Sequence, residues 1–98
     1  MVISKKKWKI SIIIPTFNES KNITALVTQL FVIAKKENID LELVIVDDNS
    51  PDKTGEIAEQ LAKKFPIKCV HRNGKLGLGT AVIAGFKVAS GNILGVMD

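Results

Sequence analysis

The chain reads as an α/β protein: a parallel sheet between two layers of helices, in the order β-α-β-α-β-α-β. Two observations predict this class. First, apolar runs rich in β-branched residues recur along the chain at Trp8–Ile14, Leu41–Val46, Ile67–His71 and Ile93–Met97. The first of them, with Ile10, Ile12, Ile13 and Ile14, has little polar alternation, as in a strand buried on both faces. Second, the segments between the runs carry apolar residues at helical spacing. Strands alternating with helices of this size imply right-handed crossovers and a parallel sheet.

Taken in order, residues 1–7 read as a flexible tail, and Lys5, Lys6 and Lys7 in it supply part of the net charge of +4. The first strand ends at Ile14, and Pro15 to Asn22 forms a loop. A helix follows with Ile23, Leu26, Val27, Leu30, Phe31 and Ala34 on one face. The second strand runs from Leu41 to Val46. The second helix is expected from about Pro51 or Asp52 to Lys64, presenting Ile57, Leu61 and Phe65, with Ser50 as its cap and Pro51 at its first position. Pro66 stops it. The short third strand leads into a glycine-rich loop, Arg72 to Gly79, with two basic side chains. The third helix is expected over Thr80 to Ser90, where Gly85 implies close contact with the sheet. Gly91-Asn92 turns the chain into the fourth strand, which ends on Asp98.

Composition narrows the class. Ninety-eight residues, 46% hydrophobic and 24% charged, suit a single globular domain with a core of modest size. A short basic cluster is ordinarily solvated, and no aromatic residues alternate with basic ones as a single-stranded nucleic-acid platform requires, so no nucleic-acid partner is expected. The lone Cys69 lies in an apolar run and is expected to pack as a small hydrophobe. One cysteine and one histidine cannot build a zinc site. No apolar run approaches the roughly 20 residues that span a bilayer, so the chain is expected to be soluble or attached at a membrane surface.

Chemistry concentrates at the end of the second strand, in Val46-Asp47-Asp48-Asn49-Ser50-Pro51-Asp52-Lys53-Thr54. In open parallel sheets ligands bind beyond the carboxyl ends of the strands, which is where Asp47 and Asp48 fall. Paired acidic residues are also common in plain solvated turns. Known nucleotide templates do not fit. The place after the first strand, Pro15 to Ser20, has no glycine, Gly77-Leu78-Gly79 lacks the third glycine of a dinucleotide fingerprint, and no P-loop is present. His71 beside Arg72 reads as a strand-end residue rather than a catalyst.

Ile12-Ile13-Ile14-Pro15-Thr16-Phe17-Asn18-Glu19 followed by Val46 to Thr54 resembles family 2 glycosyltransferases of the GT-A fold. Lys75-Leu76-Gly77-Leu78-Gly79-Thr80-Ala81, then Gly85, Ala89, Ser90, Gly91 and Val96-Met97-Asp98, is most similar to the dolichol-phosphate mannose synthase branch and its polyprenyl-phosphate relatives. The resemblance implies the nucleotide-binding half of a Rossmann-like GT-A fold, with strand order 3-2-1-4. It implies an enzyme that moves mannose from GDP-mannose to dolichyl or another polyprenyl phosphate, with inversion, using Mg²⁺ or Mn²⁺. It also implies a cytoplasmic protein, peripheral at the cytoplasmic face of the membrane in the full-length parent.

By the same resemblance Pro15, Phe17 and Glu19 hold the nucleotide, and Val46 and Asp48 contact base and ribose. Lys75 in the glycine-rich loop is expected near the donor phosphates as a flexible point charge, the other reading being a solvated loop lysine. Asp98 matches the first Asp of the D-x-D metal motif. Phe17 stands where the family usually has Tyr. The second Asp of D-x-D lies beyond the sequence, so the chain is expected to be a truncated domain, inactive alone, and its catalytic residues are unknown. A family 2 transferase using a UDP-sugar and a non-catalytic nucleotide-binding module are the alternatives. Strand 93–97, with no Lys, Pro or charge before Asp98, is expected to be an unprotected sheet edge through which two copies associate.

Overall fold

The computed structural model describes residues 8–74 and 77–97. Among the described residues seven elements follow one another: β1 (Lys9–Thr16), α1 (Ile23–Lys36), β2 (Asp40–Asp47), α2 (Thr54–Ala62), β3 (Ile67–His71), α3 (Leu78–Val88) and β4 (Ile93–Val96). The four strands form one sheet in the order β3-β2-β1-β4, every neighbouring pair parallel. The expected class, element order and strand order are all present.

Side-chain alternation along the two central strands builds two cores. On one face, Ile14 of β1 and Leu41, Leu43 and Ile45 of β2 pack with Ile23, Val27 and Ala34 of α1 and Ala58 and Leu61 of α2. On the other, Ile13, Val44 and Val46 pack against Ala81 of α3. A strand covered on both sides has to be apolar at successive positions, which is why Leu43, Val44, Ile45 and Val46 are all fully buried. Phe31 and Phe65 stack with ring centroids 4.8 Å apart beside the larger core. Cys69 packs there too as a half-buried hydrophobe, and burial pushes its thiol up to about 12.

Gly85 brings α3 close to the sheet. A Cβ at this position would stand 2.4 Å from Cγ2 of Ile13, so only glycine fits without movement. Below the sheet, the carboxylate of Glu42 ties the α3–β4 turn to β1 and β3. It accepts hydrogen bonds from Ser11 Oγ (2.6 Å), Ser90 N (2.9 Å) and Ser90 Oγ (3.1 Å), and pairs with Lys68 Nζ at 2.9 Å. The Gly91 amide donates to Ser11 Oγ, closing the network. Burial alone would raise the Glu42 carboxyl, but the Ser11, Ser90 and Lys68 donors outweigh it and hold the group at about 2.

The start of α2 differs from expectation. The helix begins at Thr54, not at Pro51 or Asp52, and Ser50 caps nothing. Residues 51–53 turn instead, with Lys53 at a left-handed φ of 71°. The Ser50 hydroxyl is drawn away from the helix because Asp47 Oδ1 accepts it at 2.6 Å. Asp52 takes over at the helix start, accepting the Thr54 amide at 3.1 Å. The third helix also starts two residues earlier than expected, at Leu78.

Candidate functional site

The carboxyl ends of β1 and β2 carry the site. Thr16 and Asp47 are register partners at the last rung, and Asp48 follows directly, its amide donating to Thr16 O at 3.1 Å. Beyond this rung lies a cavity of about 330 Å³ lined by Pro15, Thr16, Phe17, Glu19, Asp48, Gly77, Leu78 and Ala81. Four of the expected site residues, Pro15, Phe17, Glu19 and Asp48, therefore meet in one place. Val46 does not line this cavity; its side chain is fully enclosed in the core beneath α3. Lys75 and Asp98 lie outside the described residues.

The two adjacent aspartates have different surroundings. Asp47 is spent within the fold: Oδ1 accepts from Thr16 Oγ1 (2.8 Å) and Ser50 Oγ (2.6 Å), and Oδ2 accepts from Ser50 N (3.0 Å). Asp48 faces the cavity and is gripped from one side by Arg72, whose Nε and Nη2 donate to Oδ1 and Oδ2 at 2.7 and 2.9 Å. Both partners' side chains are only 10% exposed, so the pair is shielded from water and its two parallel bonds fix the plane of the carboxylate. The Asp48 carboxylate in turn raises the Arg72 guanidinium further.

Arg72 was not among the expected site residues, although it follows the last residue of β3 just as Asp48 follows β2. The same strand-end rule that picked out Asp47 and Asp48 applies to it. Its remaining donors reach Thr80 Oγ1 (2.9 Å) and Gly77 O (3.3 Å), so one side chain joins Asp48 to the start of α3. Thr16, Gly77, Leu78 and Ala81 also line the cavity without having been expected there.

A second cavity of about 340 Å³ lies beside β3, lined by Asp47, Glu56, Glu59 and His71 among others. His71 pairs with Glu59 at 2.8 Å, an exposed contact at the strand end. Among the described residues, no group of three or more His, Cys, Asp or Glu side chains is placed to hold a metal ion. Asp48 is a poor cation ligand, because the guanidinium already occupies one side of both its oxygens. No helix among them is long and apolar enough to cross a membrane.

The family model for Glycosyl transferase family 2 matches residues 11–98. The chain belongs to that family. It is 44% identical over 90 residues to a dolichol-phosphate mannosyltransferase of Pyrococcus furiosus, a match covering 92% of this chain and 25% of the relative. Among solved structures, the mannosyltransferase PcManGT of Pyrobaculum calidifontis in complex with GDP-Man and Mn²⁺ superposes with a TM-score of 0.78 at 24% identity, over 91% of this chain and 26% of that one. S. aureus TarS 1–349 in complex with UDP-GlcNAc superposes with a TM-score of 0.75 at 34% identity, over 92% and 26%. The fold is GT-A-like, and the chain spans about a quarter of the length of these relatives.

Proposed function

We propose that this chain is the nucleotide-binding part of an inverting transferase that moves mannose from GDP-mannose to dolichyl or another polyprenyl phosphate. The observation that carries the reading is the Asp48 carboxylate, buried in a cavity at the strand ends and oriented by Arg72 beside the aromatic ring of Phe17. An ionised carboxylate keeps lone pairs for the N–H groups of a base, and guanine offers two adjacent donors on one edge. A base lacking those donors would leave the buried acceptor without compensation, which is how the site would select. Phe17 gives the base or ribose an apolar surface.

Asp98 is assigned to the divalent metal, Mg²⁺ or Mn²⁺, and Lys75 to the donor phosphates. When bound, the metal would supply positive charge against the leaving diphosphate. The 44% identity to a dolichol-phosphate mannosyltransferase supports the mannose and lipid-phosphate assignments, and with them a place at the cytoplasmic face of a membrane. A UDP-sugar is the second reading, favoured by the 34% identity to TarS.

A thermal-shift panel of GDP, UDP and CDP with Mn²⁺ separates the two, since a ligand of the folded state raises the melting temperature. Calorimetry then tests the site. Asp48→Ala should weaken GDP binding by about 1.5–3 kcal/mol. Asp47→Ala, which removes scaffold bonds, should weaken it less while lowering the melting temperature. Equal losses of affinity from the two substitutions would overturn the assignment.

A further inference from the structure

We propose that Ser50, Asp52 and Thr54 form a clasp that sets the position of the β1–α1 loop and so acts on the nucleotide through Phe17 and Glu19. The proposal rests on the nucleotide reading of the cavity given above. Three consecutive loop amides, those of Asn18, Glu19 and Ser20, donate to Ser50 Oγ (3.0 Å), Thr54 Oγ1 (3.0 Å) and Asp52 Oδ2 (3.1 Å). Ser50 and Asp52 of the β2–α2 turn and Thr54 at the first position of α2 thus hold three successive amides of the β1–α1 loop. None of the three acceptors lines the nucleotide cavity, whereas Phe17 and Glu19 on the held loop both do. They are positioning residues.

The two hydroxyls are not free to turn. A hydroxyl has one proton and two lone pairs. Ser50 gives its proton to Asp47 Oδ1 and Thr54 gives its proton to Asp52 Oδ1, so each must present lone pairs to the loop amide. Two relays run side by side: Asn18 amide to Ser50 to Asp47, and Glu19 amide to Thr54 to Asp52. Asp47 is anchored in turn by Thr16 at the end of β1, so the loop is referred back to the sheet. Thr54 is fully buried, which shields the central bond from water. The Thr54 hydroxyl, with help from the Ser20 amide, holds the Asp52 carboxyl at about 2, below its ordinary value of 3.8, because both donors favour the charged form.

Glu19 also lies in the turn that leads into α1. Its carbonyl accepts the amides of Asn22 (3.0 Å) and Ile23 (2.9 Å), so its amide is clasped while its carbonyl nucleates the helix. Asn18, just before it, takes a left-handed φ of 57°, which asparagine tolerates better than most residues. A short loop fixed at three amides and one carbonyl has little freedom left, and a preordered loop binds a ligand without the entropy loss of ordering it.

The test uses the full chain with Thr54→Val, which keeps the shape and removes the hydroxyl. Hydrogen exchange at the Glu19 amide should accelerate about tenfold or more, the equivalent of one lost hydrogen bond of about 1.4 kcal/mol. The amides of Val44 and Ile45 should keep their protection. GDP affinity should fall about tenfold by the same conversion, and Thr54→Ser should restore both. In a Phe17→Ala background the Thr54→Val substitution should cost less affinity than in wild type, because part of its effect passes through Phe17.

Should the buried valine prevent folding, Ser50→Ala reads the same clasp at the Asn18 amide. Unchanged exchange at these amides overturns the clasp. Faster exchange with unaltered GDP affinity overturns its positioning role, as do fully additive losses with Phe17→Ala. A wild-type chain that binds neither GDP nor UDP overturns the nucleotide reading, while the exchange measurement still decides the clasp on its own.

Discussion

Replacing Glu42 by glutamine should destabilise the protein by about 3 kcal/mol at neutral pH, a figure reached in two ways. Hydrogen bonds to a charged group contribute about 1.5–3 kcal/mol and neutral ones about 0.5–1.5 kcal/mol, so removing the charge weakens each of the bonds from Ser11 and Ser90 by about 1 kcal/mol. In addition, the glutamine NH₂ would face donors on either side: Oε2 accepts from Ser11 Oγ and Ser90 N, and Oε1 from Ser90 Oγ and Lys68 Nζ. The second route is linkage. A carboxyl drawn from 4.5 to about 2 in the folded state contributes about 3 kcal/mol at pH 7.

Because the folded value is depressed, this contribution is fully present above the unfolded value and is lost as pH falls through the folded one. Urea unfolding of wild type and Glu42→Gln at pH 7 and pH 3 measures it. The gap in stability should shrink to about half at pH 3. A gap below about 0.5 kcal/mol, or one that is the same at both pH values, would refute the reasoning, since surface substitutions without such a role fall in that range.

Gly85→Ala should cost about 1–3 kcal/mol through overpacking against Ile13, and less when combined with Ile13→Ala, read from urea midpoints. Lys75→Ala should weaken GDP binding and leave guanosine binding unchanged in calorimetry; equal losses for both would show that the lysine reads no phosphate. β4 pairs with β1 and, among the described residues, has no strand beyond it, while Ile93, Leu94 and Val96 are exposed. Sedimentation should therefore show a dimer of this 98-residue chain that Val96→Lys abolishes, and a monomer at high concentration would exclude edge pairing.

The alternation of β-branched runs and helical periods determines the layered fold by itself, because strands buried on both faces and amphipathic helices bury their apolar residues in few other arrangements. The carboxyl-end rule likewise draws attention to Asp47 and Asp48 together, from sequence alone, as residues beyond a strand end. What the sequence could not decide is the division of labour among neighbouring polar residues. Asp47 and Asp48 are adjacent and chemically identical, yet successive strand-end residues point in different directions, one into the scaffold and one into the cavity.

Ser50 reads as a helix cap on local preference, but Asp47 and the Asn18 amide compete for its hydroxyl and win. Glu42 sits in a run of apolar strand residues with nothing nearby in sequence to neutralise it. Its partners Ser11, Lys68 and Ser90 come from β1, β3 and the α3–β4 turn, between 26 and 48 residues away, and only the folded chain brings them within reach. Local pattern fixes which residues are apolar and where elements lie. Hydrogen bonds between distant segments are decided by tertiary packing, since a buried polar group takes whichever partner the fold puts beside it.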